Sequence, residues 1–219
     1  MATRIYLPDT SGGPGISPAV SASWQMTEAS FNRIVAATPK SGTPHTIRVL
    51  ANTAIYNNPS YGVKRQYIYG PIGQQTITGT VKGQIYCSES GLDLDAMRAM
   101  VIRVIAPDGV TVRGTLLSDL PVALASEFNG TTQGSSETNR NFPPSTAVTS
   151  VSALDGDYIV IEIGSAWFKT SGTERFVRWY FGDNQSTDAP EDETDTNRTS
   201  NNPWIEFSFD ILQNASAIP

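Results

Sequence analysis

The chain has 219 residues, with 15 Lys and Arg against 21 Asp and Glu, giving a formal net charge of −6 at pH 7. This acidic balance argues against a nucleic-acid partner, because neutralising phosphates requires clustered basic side chains. No run approaches the roughly 18 apolar residues of a membrane helix, and the single cysteine, Cys87, excludes a disulfide within this chain and a cysteine-based zinc site.

Residues 1–23 are predicted to form an extended N-terminal arm ahead of a single domain over residues 24–219. The stretch from Leu7 to Val20 contains three prolines, three glycines and several serines, and such a composition buries too little apolar surface to fold alone. The first eight residues lack the apolar stretch of a signal peptide. The protein is therefore expected to be made and kept in a cytoplasm, or packed into a particle assembled there.

Two short helical segments are predicted after the arm. Phe31, Ile34 and Val35 have helical spacing within residues 24–38, and the Thr38-Pro39 pair would end that helix. Residues 92–100 are long enough for one helical turn between strands.

From Thr46 onward the hydrophobic pattern has period two, which is typical of half-buried strands. In residues 157–163, for example, Ile159, Ile161 and Ile163 are predicted to point inward and Glu162 outward. About nine strands are predicted, over residues 46–51, 66–70, 75–86, 100–106, 110–117, 146–151, 157–163, 176–181 and 204–211. Their number and short spacing predict an all-β fold, an antiparallel two-sheet β-sandwich with a jelly-roll-like topology.

A hairpin is predicted around the turn Pro107-Asp108-Gly109, whose residue types suit a three-residue loop with a left-handed third position. That loop would place Val104 opposite Val112, with the other apolar partners on the same face. The same register places Arg103 opposite Arg113, and like charges directly across strands repel. A carboxylate is therefore expected near these arginines, supplied by this chain, by an acidic partner subunit or by a bound anion.

Two loop regions stand out by composition. Residues 127–146 are rich in Asn, Thr, Ser and Gly and are predicted to form a long exposed excursion. Residues 183–195 hold six carboxylates, and Asp183, Asp188, Asp192 and Asp195 are candidate calcium ligands because Ca²⁺ prefers carboxylate oxygens. Their spacing does not match an EF-hand, so a solvated acidic loop, or one that pairs with arginines, is the alternative.

Catalytic motifs are scarce in this sequence. His45 is the only histidine, which excludes a histidine-based metal site, and no G-x-S-x-G elbow occurs. Carboxylate pairs suited to a glycosidase are available, either Asp93 with Asp95 or Glu162 with Glu206, but any acidic protein offers such pairs. The chain is therefore expected not to be an enzyme and to need no cofactor other than the calcium considered above.

A carbohydrate-binding module is the second function considered, because sugars stack on exposed aromatic rings. Five aromatic residues in or near predicted loops are candidates for such a platform: Tyr56, Tyr61, Tyr67, Tyr69 and Trp167. An aromatic residue in a β-rich chain more often belongs to the core.

An ordered set of strand and turn motifs resembles a group of tailed-bacteriophage virion-associated structural proteins. The motifs span nearly the whole chain and are ATRIYLP at residues 2–8, QTITGTVKGQI at 75–85, VRGTLL at 112–117, VIEIG at 160–164, YFGDN at 180–184 and NPWIEF at 202–207. The resemblance implies a place on the virion, as a capsid decoration protein, a head fibre or a tail component. It brings no catalytic residues.

From this resemblance we expect capsid or tail proteins as partners, bound through the N-terminal arm. The charge and the lack of a long apolar run lead us to expect neither nucleic acid nor membrane as a partner. We also expect a symmetric oligomer, with a trimer as the first expectation because decoration proteins and fibres often sit on three-fold axes. The residues expected at the interface lie in the arm and on the arginine face of the hairpin: Arg4, Tyr6, Pro8, Pro14, Pro18, Arg103 and Arg113.

Overall fold

The computed structural model describes residues 1–9, 13–36, 46–52, 56–91, 93–121, 128, 138–169, 172–182, 187–196 and 199–214. The secondary structure of these residues consists of strands, which confirms the predicted all-β class. Because they form no helix, none of them belongs to a helix that could cross a membrane. The strands are β1 (Thr3–Tyr6), β2 (Met26–Val35), β3 (Thr46–Asn52), β4 (Tyr56–Ile72), β5 (Gln75–Ile77), β6 (Thr80–Glu89), β7 (Leu94–Ile105), β8 (Val112–Asp119), β9 (Thr138–Asn141), β10 (Thr146–Ala147), β11 (Val151–Ala153), β12 (Asp157–Lys169), β13 (Arg175–Phe181), β14 (Thr187–Asp188), β15 (Asn201–Asn202) and β16 (Trp204–Phe207).

Two main sheets contain most of these strands. Sheet A has the order β1-β16-β6-β13-β3, with β9 and β10 also pairing with β6, and all its pairs are antiparallel. Sheet B has the order β2-β4-β12-β7-β8. Two further pairs are small: β5 with β11, and β14 with β15.

One apolar core lies between the two sheets. Sheet A contributes Ile85 and Trp179, and sheet B contributes Ile161 and Trp167, all of them fully buried in the same cluster. The inward orientation predicted for Ile159, Ile161 and Ile163 is confirmed, because all three pack in this cluster, whereas Val160 between them packs in a separate one. Burial of these large side chains is the main source of stability, at roughly 1.5–3 kcal/mol for each.

The segment predicted to be a helix over residues 24–38 is instead strand β2, and it runs parallel to β4. The prediction of a purely antiparallel sandwich is therefore wrong for sheet B, which is mixed. The chain leaves β2 for β3 in sheet A before it returns as β4, and a parallel pair requires a crossover of this kind. Ile34 and Ala36, two positions apart, are both buried, so the local pattern follows strand periodicity.

Two other local predictions are also corrected. The predicted helical turn within residues 92–100 is part of strand β7, which begins at Leu94. The predicted strand over residues 75–86 is divided at Thr78-Gly79 into β5 and β6, which join different sheets. In the predicted excursion over residues 127–146, Thr138–Asn141 forms β9 and Phe128 is buried, whereas residues 129–137 lie outside the described part of the chain.

The β7–β8 hairpin forms, but the predicted register is wrong. The Ala106 N–H donates to the Thr111 carbonyl at 2.8 Å, so the loop has one residue more than predicted. A β-bulge between the Ile105 and Val104 pairs then shifts the pairing by one more residue, and Arg103 lies opposite Thr115 rather than Arg113. A bulge adds a residue to one strand, so the two arginines avoid the direct opposition that the simple register required.

Asp108 stabilises the turn of this hairpin. Its carboxylate accepts hydrogen bonds from the Thr111 hydroxyl at 2.6 Å and from the Thr111 and Val110 N–H groups, each at 2.8 Å. These bonds favour the ionised form and lower the pKa of Asp108 to about 2.

The Asp108 contribution to stability is expected to depend on pH. Because the folded-state pKa is depressed, this contribution is present above the ordinary value of 3.8 and is lost as the pH falls towards about 2. Asp108→Ala should thus be less stable than the wild type at pH 6, and the difference should shrink between pH 4 and pH 2. Urea midpoints measured across this range test it, and a constant difference would contradict it.

The two described parts of residues 1–24 pack on different sheets. The N-terminal segment, residues 1–9, adds β1 to the edge of sheet A and buries Ile5 and Leu7 in the core. The covering segment, residues 13–24, runs across the outer face of sheet B, where Val20 and Trp24 pack against Val63 and Val101. In this structure the predicted arm is therefore extended but held by its own domain.

Candidate interaction surfaces

The first candidate surface joins the N-terminal segment to the acidic loop. Arg4 bridges two carboxylates, with Nη1 at 2.9 Å from Asp188 and Nη2 at 2.8 Å from Glu206. The Tyr6 hydroxyl donates to the same Asp188 carboxylate at 3.1 Å. Strand pairing produces part of this arrangement, because Arg4 and Glu206 are direct partners across β1 and β16. Two expected interface residues and one calcium candidate are thus engaged with each other.

Lys82 extends this row of charges onto β6. Its ammonium lies 2.5 Å from Glu191 and 3.6 Å from Glu206. The hydrogen bond to Glu191 raises the pKa of Lys82 above its ordinary value despite slight burial, so the ammonium stays charged. A polar cleft of about 420 Å³ opens here, lined by Thr80, Lys82, Ser145, Glu191, Glu206 and Ser208.

The remaining calcium candidates have separate partners. Asp192 accepts hydrogen bonds from the N–H and hydroxyl groups of Thr194 at 2.9 and 2.7 Å, which lowers the pKa of Asp192. Asp195 accepts a hydrogen bond from the Asn201 amide at 3.1 Å. Asp183 lies outside the described residues. Among the residues that the structure describes, no group of three or more His, Cys, Asp or Glu side chains is arranged to hold a metal ion.

The second candidate surface is the outer face of sheet B, where Glu162 is the centre of a buried polar network. The sequence predicts Glu162 to point outward, and it does lie on the outer face, yet its side chain is 0% exposed because the covering segment lies over it. It accepts hydrogen bonds from four groups: the Ser21 N–H at 3.1 Å, the Trp24 indole at 2.8 Å, the Gln66 amide at 2.9 Å and the Arg103 guanidinium at 2.5 Å.

Arg103 and Arg33 connect the covering segment to this network. Arg103 Nη2 also donates to the Ala19 carbonyl at 2.7 Å. Arg33 Nε donates to the Gln66 side-chain oxygen at 2.8 Å and to the Pro18 carbonyl at 3.2 Å. The carboxylate expected near Arg103 is therefore present within this chain, in a network that fixes the covering segment.

Arg113, the other arginine of the hairpin, binds a different carboxylate. Its Nε lies 3.1 Å from Asp157, whose side chain is 0% exposed. The same carboxylate accepts the Leu154 N–H at 2.8 Å. Arg113 thus connects the start of β8 to the turn before β12.

An apolar end of the sandwich is the third candidate surface, and sequence reasoning missed it. Val110, Val112, Leu154 and Leu212 are 80%, 48%, 45% and 54% exposed. Their three loops converge, because a Cβ at Gly156 would lie 3.4 Å from Pro107 and 3.8 Å from the Asn214 amide. The signal in the sequence was an apolar residue within each polar segment, but nothing in the sequence shows that the three segments lie together.

The covering segment borders this apolar end. A Cβ at Gly109 would lie 3.6 Å from Ile16 and from the Ser17 nitrogen, and one at Gly15 would lie 3.8 Å from the Tyr158 hydroxyl. Of the prolines expected at an interface, Pro8 and Pro18 are buried whereas Pro14 is half-buried. The exposed part of the arm thus lies beside the exposed apolar side chains.

Most described members of the proposed sugar platform lie elsewhere. Tyr67, Tyr69 and Trp167 belong to the core, and Tyr61 is half-buried with its hydroxyl donating to the Pro121 carbonyl at 3.0 Å. The side chain of Tyr56 lies outside the described part.

The structure also locates the carboxylate pairs that a glycosidase could use. Glu162 and Glu206 lie on different sheets. Asp93 pairs with Arg175, and burial, together with the charge of Asp93, raises the pKa of Asp95. Burial also raises the pKa of the Cys87 thiol, and His45 lies outside the described residues.

Comparison with known proteins gives no family for this chain. No protein-family model matches it, and no curated protein sequence matches it. Two crystal structures of a CocE/NonD family hydrolase from Staphylococcus aureus are similar over 98% and 99% of this chain, with 12% sequence identity and TM-scores of 0.27 and 0.26. The chain spans about a third of that hydrolase, 34% and 35%, and similarity at this level supports no inference about fold or activity.

Proposed function

We propose that this chain is a non-enzymatic structural component of a tailed-bacteriophage particle, made in the host cytoplasm and carried in the virion. Its role would be that of a capsid decoration protein or another particle-surface component that binds neighbouring virion proteins. The resemblance of its strand and turn motifs supports this proposal. The alternation of the first four strands, β1 to β4, between the two sheets supports the finer assignment of a jelly-roll-like sandwich.

The observation that carries the proposal is the apolar end with the arm beside it. Val110 is 80% exposed at the tip of a turn, Leu154 is exposed in the turn before β12, and Leu212 is exposed in the segment after β16. Contiguous exposed apolar side chains mark surfaces that bind other proteins. The half-buried Pro14 and Ile16 of the covering segment extend this surface, so a neighbouring virion protein would contact the arm and the apolar end together.

Particle binding tests the proposal. The purified chain is mixed with particles of the phage whose genome encodes it, grown without the gene, and the particles are sedimented. We expect the wild-type chain to sediment with them and the Val110→Asp/Leu154→Asp variant to lose at least about tenfold in affinity, because a buried unpaired carboxylate costs several kcal/mol.

A matched control places the same charge elsewhere. Gly172→Asp lies beyond the other end of β12, where a Cβ would have no heavy atom within 4 Å, and it should bind particles like the wild type. A wild-type chain that does not sediment with the particles would refute the proposed function. If the double variant binds particles as well as the wild type does, the contact lies on another surface of the chain.

A further inference from the structure

The N-terminal segment, residues 1–9, lies in a groove formed by both sheets, which we call the seat. Ile5 and Leu7 are 0% exposed in the core. The Leu7 carbonyl accepts the Gly182 N–H of sheet A at 2.9 Å, and the Pro8 carbonyl accepts the Tyr67 hydroxyl of sheet B at 3.0 Å. The segment thus fills the space where the two sheets meet.

An ion pair marks the inner end of this seat. The Asp9 carboxylate lies 3.2 Å from Arg65 Nη2, and the two side chains are only 2% and 1% exposed. A buried guanidinium requires a carboxylate nearby, because removing one member of a buried pair is strongly destabilising. A segment that fills the seat therefore needs an apolar residue at position 5, another at position 7 and a carboxylate at position 9.

The contacts of the N-terminal segment are made with residues far from it in the sequence. β1 pairs with β16, and the Arg4–Glu206 contact joins residues 202 positions apart. The sequence after the segment, Thr10-Ser11-Gly12-Gly13-Pro14-Gly15, is rich in glycine. The geometry of the seat therefore does not require that the segment filling it belong to the same chain.

These facts limit how the arm can bind a neighbour. If the N-terminal segment left its seat to bind an unrelated protein, the places of Ile5, Leu7 and Asp9 would be emptied. A second copy of this chain can refill them with the same residues, and such an exchange retains the contacts that residues 1–9 make with the sheets. Resting on the proposed function, we infer that residues 1–9 are exchanged between copies, each copy inserting its β1 beside β16 of the next.

Cross-linking of mixed chains tests the exchange. Arg4→Cys is made in one chain and Glu206→Cys in another, since both side chains are partly exposed cross-strand partners. The two variants are unfolded, mixed at high concentration, refolded together and treated with a short flexible bismaleimide. Cys87 is fully buried, so it stays unreactive in the folded chain. We expect a covalent dimer on a denaturing gel and a non-covalent oligomer of the wild type by light scattering.

Controls separate exchange from random collision. Arg4→Cys mixed with Thr115→Cys, an exposed position on sheet B, should give at least tenfold less covalent dimer. A single chain carrying both Arg4→Cys and Glu206→Cys reports contact within one copy by a faster-migrating monomer band.

Two outcomes would overturn the inference. One is a wild-type chain that remains monomeric under the same refolding conditions. The other is an oligomer in which the Arg4→Cys and Glu206→Cys mixture gives no more dimer than the Thr115→Cys control. In either case sedimentation with particles is a separate measurement, so a chain that binds particles without exchange would lose the inference and keep the proposed function.

Discussion

Glu162→Ala is expected to lower the free energy of unfolding by about 3–5 kcal/mol, the loss typical of breaking a buried ion pair. The carboxylate is 0% exposed and accepts hydrogen bonds from Ser21, Trp24, Gln66 and Arg103. Its removal leaves Arg103 buried without a carboxylate. Urea unfolding followed by tryptophan fluorescence measures the loss, and the Trp24 contact with Glu162 should make the covering segment part of the same transition.

The matched control is a carboxylate whose ion pair is partly exposed. Glu206 is 18% exposed and pairs with Arg4 and Lys82, so Glu206→Ala should cost only about 0–1 kcal/mol because water screens such pairs. Replacing both buried partners, as Arg103→Met with Glu162→Leu, should recover much of the stability lost in Glu162→Ala. Equal losses for the two alanine variants would show that Glu162 is not a buried charge.

The second large effect is expected at Gly164 of β12, which packs directly against the backbone of β4. A Cβ at this position would lie 2.9 Å from both the Gly62 carbonyl carbon and the Val63 Cα. These are backbone atoms of the neighbouring strand, so neither can rotate away. Gly164→Ala should therefore destabilise the protein by about 3 kcal/mol, the upper end of the usual cost of overpacking.

Gly172→Ala is the control for this substitution. No heavy atom lies within 4 Å of a Cβ at Gly172, so its urea midpoint should stay close to that of the wild type, within about 0.5 kcal/mol. A Gly164→Ala variant as stable as Gly172→Ala would mean that the two strands can separate locally without cost.

Where apolar residues alternate along the sequence, the sequence was enough to predict which side chains face the core. The isoleucines of β12, and Ile205 and Phe207 of β16, all pack in the central core, because side chains two positions apart share one face of a strand. Prediction was wrong where pairing with a distant strand decided the local structure. The residues of β2 have helical spacing, yet they form a strand because they pair with β4. The register of the β7–β8 hairpin depends on bulges, which no residue type in the sequence predicts.

The candidate surfaces, too, could be predicted from the sequence only in part. Arg4, Tyr6 and Asp188 could each be named from the sequence, but their contact spans more than 180 positions and required the pairing of β1 with β16. Glu162 followed the outward alternation correctly, and only the covering segment made it a buried charge. Val110, Leu154 and Leu212 come from three separate segments of the chain, so their convergence could be found only in three dimensions.

The pairing of β1 with β16 has a consequence for synthesis on the ribosome. Arg4 emerges 202 residues before its partner Glu206, which corresponds to about 10–40 s at typical translation rates of roughly 5–20 residues per second. Throughout that time Ile5 and Leu7 have no completed seat, and the apolar N-terminal segment is open to chaperones or to another nascent chain. On a polysome, where several copies of one protein emerge side by side, the nearest completed seat can belong to the copy ahead.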